Sequence, residues 1–266
     1  IEEHMIPTPL VNRIFQKIAH ISSHKIVANS YHKLQIGRLE ESDKALVIHD
    51  GFNFEKKSQK NTLNQKLQKL LNTFQQNIVM MGSSLSSEDF LSLSKVAKNM
   101  LQKREDIGFF FIGYNSRMEK AKNMAGPLIN KNVFFLQYNN SLKDLLPYFD
   151  IGIMLNNIHI NSNKVAHIVK EYMAAGLPVI ATQTGVIPEL IENYKNGILV
   201  KPFSENQITE ALTLLFNSHK KRQRMANSAS DIINEKFKIK TMIDKYIELY
   251  ESLTTSPKKR TQVRPI

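Results

Sequence analysis

Cysteine and tryptophan are both missing from the 266 residues. Without cysteine there can be no disulfide framework, thiolate zinc site, iron–sulfur cluster or thiol nucleophile. Long apolar runs are missing too: stretches such as Ile78-Val79-Met80-Met81 and Phe109-Phe110-Phe111-Ile112 are far short of the ~20 residues a membrane-spanning helix needs. No charged-then-apolar leader opens the chain, so no signal peptide is read. The first residue is Ile1 rather than Met, which fits a piece of a longer protein. No two aspartates stand two apart, so an aspartate-x-aspartate metal clamp is not available. Neither G-x-S-x-G nor a phosphate-binding P-loop occurs, which disfavours hydrolase and nucleoside triphosphatase readings. His20 and His24 are four apart but straddle a predicted helix end without an acidic partner, a poor metal site.

Negative charge is the scarcer sign. Thirty-six Lys and Arg face 24 Asp and Glu, a formal charge of +12. Such an excess favours anionic partners. It thickens at His219 to Arg224 and again at Lys258, Lys259, Arg260 and Arg264. Neither cluster is interleaved with aromatics, and no zinc-finger, RNA-recognition or helix-turn-helix signature accompanies them, so nucleic acid is not expected. The clusters read as a solvated helix face and a flexible tail, with an acidic membrane surface as the other option. A soluble cytoplasmic protein is expected, with peripheral contact at the inner membrane face.

Short β-branched runs alternate with longer amphipathic stretches. Strands are predicted at 25–28, 45–48, 77–81, 108–112, 132–136, 151–155, 178–181 and 197–200. Helices are predicted at 8–19, 30–37, 61–74, 88–102, 116–125, 141–148, 166–175 and 188–192. Beyond Val200 only helices follow, at 206–216, 220–236 and 240–253. This alternation predicts parallel strands with helices on both faces, and the fully apolar runs suit strands buried on both sides. The fold class is a doubly wound, Rossmann-like α/β fold. A polar, lysine-rich seam at 51–76 precedes six strands, enough for a complete sheet; only two strand–helix units come before it.

In open α/β sheets ligands bind beyond the carboxyl ends of the strands. Three strand ends carry suitable residues. After 77–81 come Gly82 and Ser83, where a glycine lets a phosphate approach the backbone, and Ser86 or Ser87 caps the next helix. Gly113 follows 108–112. A long loop, 156–164, leads into the helix that holds Glu171, with His159 and His167 at its flanks.

The most specific segment is Lys170-Glu171-Tyr172-Met173-Ala174-Ala175-Gly176-Leu177-Pro178-Val179-Ile180-Ala181-Thr182, followed by Thr184-Gly185, Pro188-Glu189 and Asn196-Gly197. Gly176 ends a helix, Pro178 starts a strand and Gly185 allows a turn. The arrangement resembles the donor-binding half of the GT-B glycosyltransferases of group 1. The likeness extends to residues 45–52, to 132–137, to 142–155 and to Phe237, and spans about residues 25–253. It implies a GT-B type fold whose N-terminal, acceptor-side domain is incomplete. The implied division is a remnant of that domain at 1–50, a donor-binding domain at 51–236, a helix at 237–253 packing back on the N-terminal part, and a basic flexible tail at 254–266.

The resemblance also implies an activity: transfer of a hexosyl-type sugar from a nucleotide-sugar donor to a glycan or lipid-linked acceptor, in cell-envelope polysaccharide synthesis, without metal or cofactor. Glu171 would be the second acid of the family's E-x₇-E motif and grip the donor ribose. The structural alternative is a glutamate serving its helix alone. Donor contacts would also come from Gly82, Ser83, Gly113, Asn163 and Lys164; no catalytic base is assigned. This sequence departs from the pattern at two places. Asn163 stands where the first acid belongs, and Ser83 and Ser86 to Asp89 stand where an Arg and a Lys usually neutralise the diphosphate. Acids at 88 and 89 would repel a phosphate at close range, and Lys164 is the candidate substitute. The departures keep a second reading open, a non-catalytic GT-B-like subunit that pairs with another chain. A sugar-phosphate epimerase on the same fold fits less well.

Overall fold

The computed structural model describes residues 23–53, 64–81, 86–113, 126–138, 142–158 and 162–255. The predicted helices at 8–19 and 116–125 lie outside them, as do Gly82, Ser83 and the basic tail. The chain divides into two compact units, Ile1–Gly51 with Ile239–Ile266, and Phe52–Lys238.

In the first unit, strand β1 (Ile26–Ala28), helix α1 (Tyr31–Ile36) and strand β2 (Ala45–Val47) form a βαβ turn with Ile26 opposite Ala45. Ser30 caps α1, its hydroxyl accepting from Lys33 N at 3.2 Å. The last helix, α9 (Ile239–Thr255), belongs to this unit. Gly51 makes room for it: a Cβ there would lie 2.5 Å from the Ile239 Cα.

The second unit is a six-stranded, wholly parallel sheet. Its strands are β3 (Gln76–Met81), β4 (Ile107–Ile112), β5 (Val133–Leu136), β6 (Ile151–Met154), β7 (Val179–Thr182) and β8 (Gly197–Val200), in the order β5-β4-β3-β6-β7-β8. Around it lie α2 (Gln65–Leu71), α3 (Ser87–Leu101), α4 (Leu142–Leu145), α5 (Ser162–Ala174), α6 (Ile187–Leu190), α7 (Glu205–Phe216) and α8 (His219–Lys236). Alternate residues of each strand feed opposite cores. Val79, Phe110, Ile112 and Met154 join α5 and α8 on one face; Ile78, Phe109, Phe111 and Ile153 join α3 and α7 on the other. That two-sided burial is why the central residues of the strands are apolar.

Two glycines set the packing of α5. Gly152 in β6 lies beneath the Tyr172 ring, which a Cβ would meet at 2.6 Å. Gly176 takes φ +76°, a left-handed stop for the helix that a side chain would strain.

Three expectations need correction. Helix α5 starts at Ser162, so Asn163 and Lys164 sit in its first turn and not on a loop; the apolar repeat begins only at Val165, which hid that turn from the sequence pattern. The 141–148 helix is a short α-helical turn followed by a 3₁₀ turn, Leu146–Tyr148, because Pro147 has no N–H to donate. Arg222 is not part of a solvated face: its Nη1 donates to the Leu215 carbonyl at 2.9 Å, and its Nη2 stands 3.9 Å from the Asp150 carboxylate.

Candidate functional site

Strand order reverses between β3 and β6, where consecutive crossovers leave to opposite sides and open a crevice at the carboxyl edge of the sheet. The residues that follow β6 build the floor of that edge. Asn156 N–H donates to Thr182 Oγ1 at 2.7 Å, and Thr184 Oγ1 donates to the Asn156 carbonyl at 3.2 Å. Asn157 N–H donates to Asp89 Oδ1 at 3.1 Å, while its amide oxygen accepts from Phe203 N at 3.0 Å. These bonds tie the ends of β6, β7 and β8 to the start of α3.

Asp89 is the hub. Its Oδ2 accepts from both Ser86 N and Ser86 Oγ at 2.8 Å, and Ser86 Oγ in turn accepts from Asp89 N at 3.1 Å, a reciprocal cap at the head of α3. Burial pushes its carboxyl above the usual range, against the pull of the hydrogen bonds from Ser86 and Asn157. This corrects the expectation that Asp89 would repel a phosphate: the carboxylate faces inward and its oxygens are engaged. Glu88 beside it is exposed. The Ser86-x-x-Asp89 spacing was legible as a capping box; the part played by Asn157 was not.

Gly113 ends β4 at φ +84° and donates its N–H to the Leu136 carbonyl at 2.9 Å, turning the chain away at the same edge. On α5, Asn163 and Lys164 are exposed. Glu171 is different: its side chain retains only 16% exposure, and its Oε1 lies 3.4 Å from His167 Nε2. The neighbouring Tyr172 is fully buried and leans back along the helix as helical side chains do. Its hydroxyl reaches the backbone of Met81, the last residue of β3, without a hydrogen bond of good geometry. Burial pushes that phenol far up, and the Glu171 carboxylate adds to the rise. Glu171 and His167 thus meet on one side of α5, with Asn163 two turns earlier. Among the described residues no group of three or more His, Asp or Glu could hold a metal ion.

The model of the family described as glycosyl transferases group 1 matches residues 61–231, well over half of the chain. The chain belongs to that family. A curated relative, the poly(ribitol-phosphate) alpha-N-acetylglucosaminyltransferase of Staphylococcus aureus (strain COL), is 24% identical over 162 residues, 60% of this chain and 32% of the relative. A glycosyltransferase from Rickettsia africae ESF-5 superposes with a TM-score of 0.74 at 20% identity, covering 91% of this chain and 68% of its own. The HepE protein of Anabaena, solved with UDP and glucose, superposes with a TM-score of 0.70 at 18% identity, covering 90% and 66%. These group 1 neighbours share the GT-B fold. The chain spans less than half the length of the curated relatives it matches.

Proposed function

We propose that this chain is the donor-binding part of a glycosyltransferase and that Glu171 grips the ribose of a nucleotide sugar. The observation that carries the reading is the half-buried carboxylate of Glu171 on α5, the helix that follows β6 at the point where the strand order reverses. A diol presents two donors, and a carboxylate offers two acceptor oxygens to meet them. In the reaction an acceptor hydroxyl attacks the anomeric carbon and gives up its proton. The bond from that carbon to the diphosphate oxygen breaks, and the nucleoside diphosphate leaves with the electron pair. The exposed Lys164 in the first turn of α5 would offset the charge that builds on the leaving phosphate. The proposed donor contacts also include Gly82, Ser83 and Gly113, with Asn163 in place of the family's first acid.

UDP is the first nucleotide to test, since a neighbour of the same fold was solved with it. Poly(ribitol-phosphate), the acceptor named for the Staphylococcus aureus relative, is a polyanion. With the +12 charge of this chain, that supports an anionic glycan or a lipid-linked acceptor of the cell envelope, met at the cytoplasmic face of the membrane.

Calorimetric titration of UDP, GDP and ADP tests the reading. Binding of one nucleotide, weakened at least about tenfold in Glu171→Ala and about three- to fivefold in Lys164→Ala, is the expected result; an exposed charged contact is worth up to about 1 kcal/mol. Asn163 favours the other reading, an accessory subunit that keeps the frame without donor chemistry. Silence with all three nucleotides would support it.

A further inference from the structure

We propose that His167 is a positioning residue that sets how strictly this chain reads the ribose; the inference rests on the ribose role of Glu171 given above. Asn163, His167 and Glu171 are spaced four apart, so they stand in a row along one side of α5. Exposure falls along the row, from 60% for the His167 side chain to 16% for Glu171. The pair therefore runs from a solvent-exposed histidine to a largely covered carboxylate.

His167 is fixed from two directions. Its Nε2 lies 3.4 Å from Glu171 Oε1. Its ring meets Phe52 edge to face, with centroids 5.3 Å apart and planes at 64°. Phe52 is itself anchored: it is buried, and its N–H donates to the Phe237 carbonyl at 2.6 Å. A surface histidine that merely completed a helix pair would not need a buried aromatic to hold its plane.

The consequence falls on the carboxylate. The last torsion of a glutamate is broad, so an untethered carboxylate turns over a wide range. With His167 Nε2 3.4 Å from Oε1, that range narrows. The Glu171 carboxylate is then held as an acceptor for a ligand that brings hydroxyl donors. Orientation matters more here than in a site with two acids, because Asn163 occupies the other position of the motif and Glu171 is left as the single carboxylate of the row. Removing His167 should then weaken ligands that carry the full diol and spare those that lack part of it.

The test compares UDP with 2′-deoxy-UDP by calorimetry on the whole chain. The wild type should prefer the ribonucleotide. His167→Ala should bind UDP about three- to tenfold more weakly, the scale of one hydrogen bond, and 2′-deoxy-UDP unchanged, so that most of the preference disappears. His167→Gln, which restores a donor, should recover it. The double variant His167→Ala/Glu171→Ala should bind no worse than Glu171→Ala, since both act through one carboxylate. Melting curves of each variant check that the fold is intact. A preference kept in His167→Ala but lost in Glu171→Ala overturns the role of His167 and leaves the ribose reading standing. A wild type that binds the two nucleotides alike overturns both.

Discussion

Gly152 shows how a single missing side chain shapes the site. Any Cβ at that position would stand 2.6 Å from the Tyr172 ring, inside contact distance of an atom that cannot move away, because Tyr172 is fully buried. Tyr172 is the residue after Glu171, so displacing its ring shifts the helix that presents the carboxylate. Gly152→Ala should therefore lower stability by about 1–3 kcal/mol, the usual cost of overpacking, and weaken nucleotide binding with it. Urea denaturation reads the first effect and calorimetry the second. Tyr172→Phe is the control. Its hydroxyl makes no good hydrogen bond, so its removal should leave stability within about 1 kcal/mol of the wild type or slightly above it.

At the scale of the element, α3 depends on Asp89. The carboxylate closes the cap at Ser86 and also holds the Asn157 amide, which fixes the segment after β6. Asp89→Ala removes a cap and leaves buried donors unmet, so a loss of about 2–4 kcal/mol is expected by urea denaturation. Asp89→Asn should lose less. The pH dependence has a definite sign. Burial raises the carboxyl above its ordinary value near 3.8, so the associated stability is fully present below that value and fades as pH rises through the folded one. The advantage of the wild type over Asp89→Asn should accordingly shrink as the solution becomes less acidic.

The same element shows what a sequence can and cannot reveal. Strands β3 to β8 were readable because each carries a short, nearly unbroken apolar run, the mark of two-sided burial, and Gly176 announced the end of α5. The capping spacing at Ser86 and Asp89 was visible too. The direction of the Asp89 carboxylate was not, since periodicity carries no information about a bond to Asn157, sixty-eight residues away. The first turn of α5 was missed because its residues are polar and its apolar rhythm starts at Val165. Glu171 stood out only through its resemblance to a family motif; its burial is a tertiary fact, while its contact with His167 follows from their spacing of four on α5.

The chain divides into two units of unequal size. Phe52–Lys238 contains a six-stranded sheet with a core on each face. The other unit has a two-stranded parallel sheet among its described residues, with α1 and α9. The larger unit holds every described residue proposed to touch the donor, while the acceptor has no assigned contacts. Donor binding should thus be measurable on this chain without a partner, even where sugar transfer is not. Titration of UDP into the whole chain, side by side with Glu171→Ala, tests this most directly. The account predicts saturable binding that weakens at least about tenfold in the variant, the loss of a charged acceptor for two hydroxyls. Equal affinity in the two proteins, with the variant folded, would contradict it.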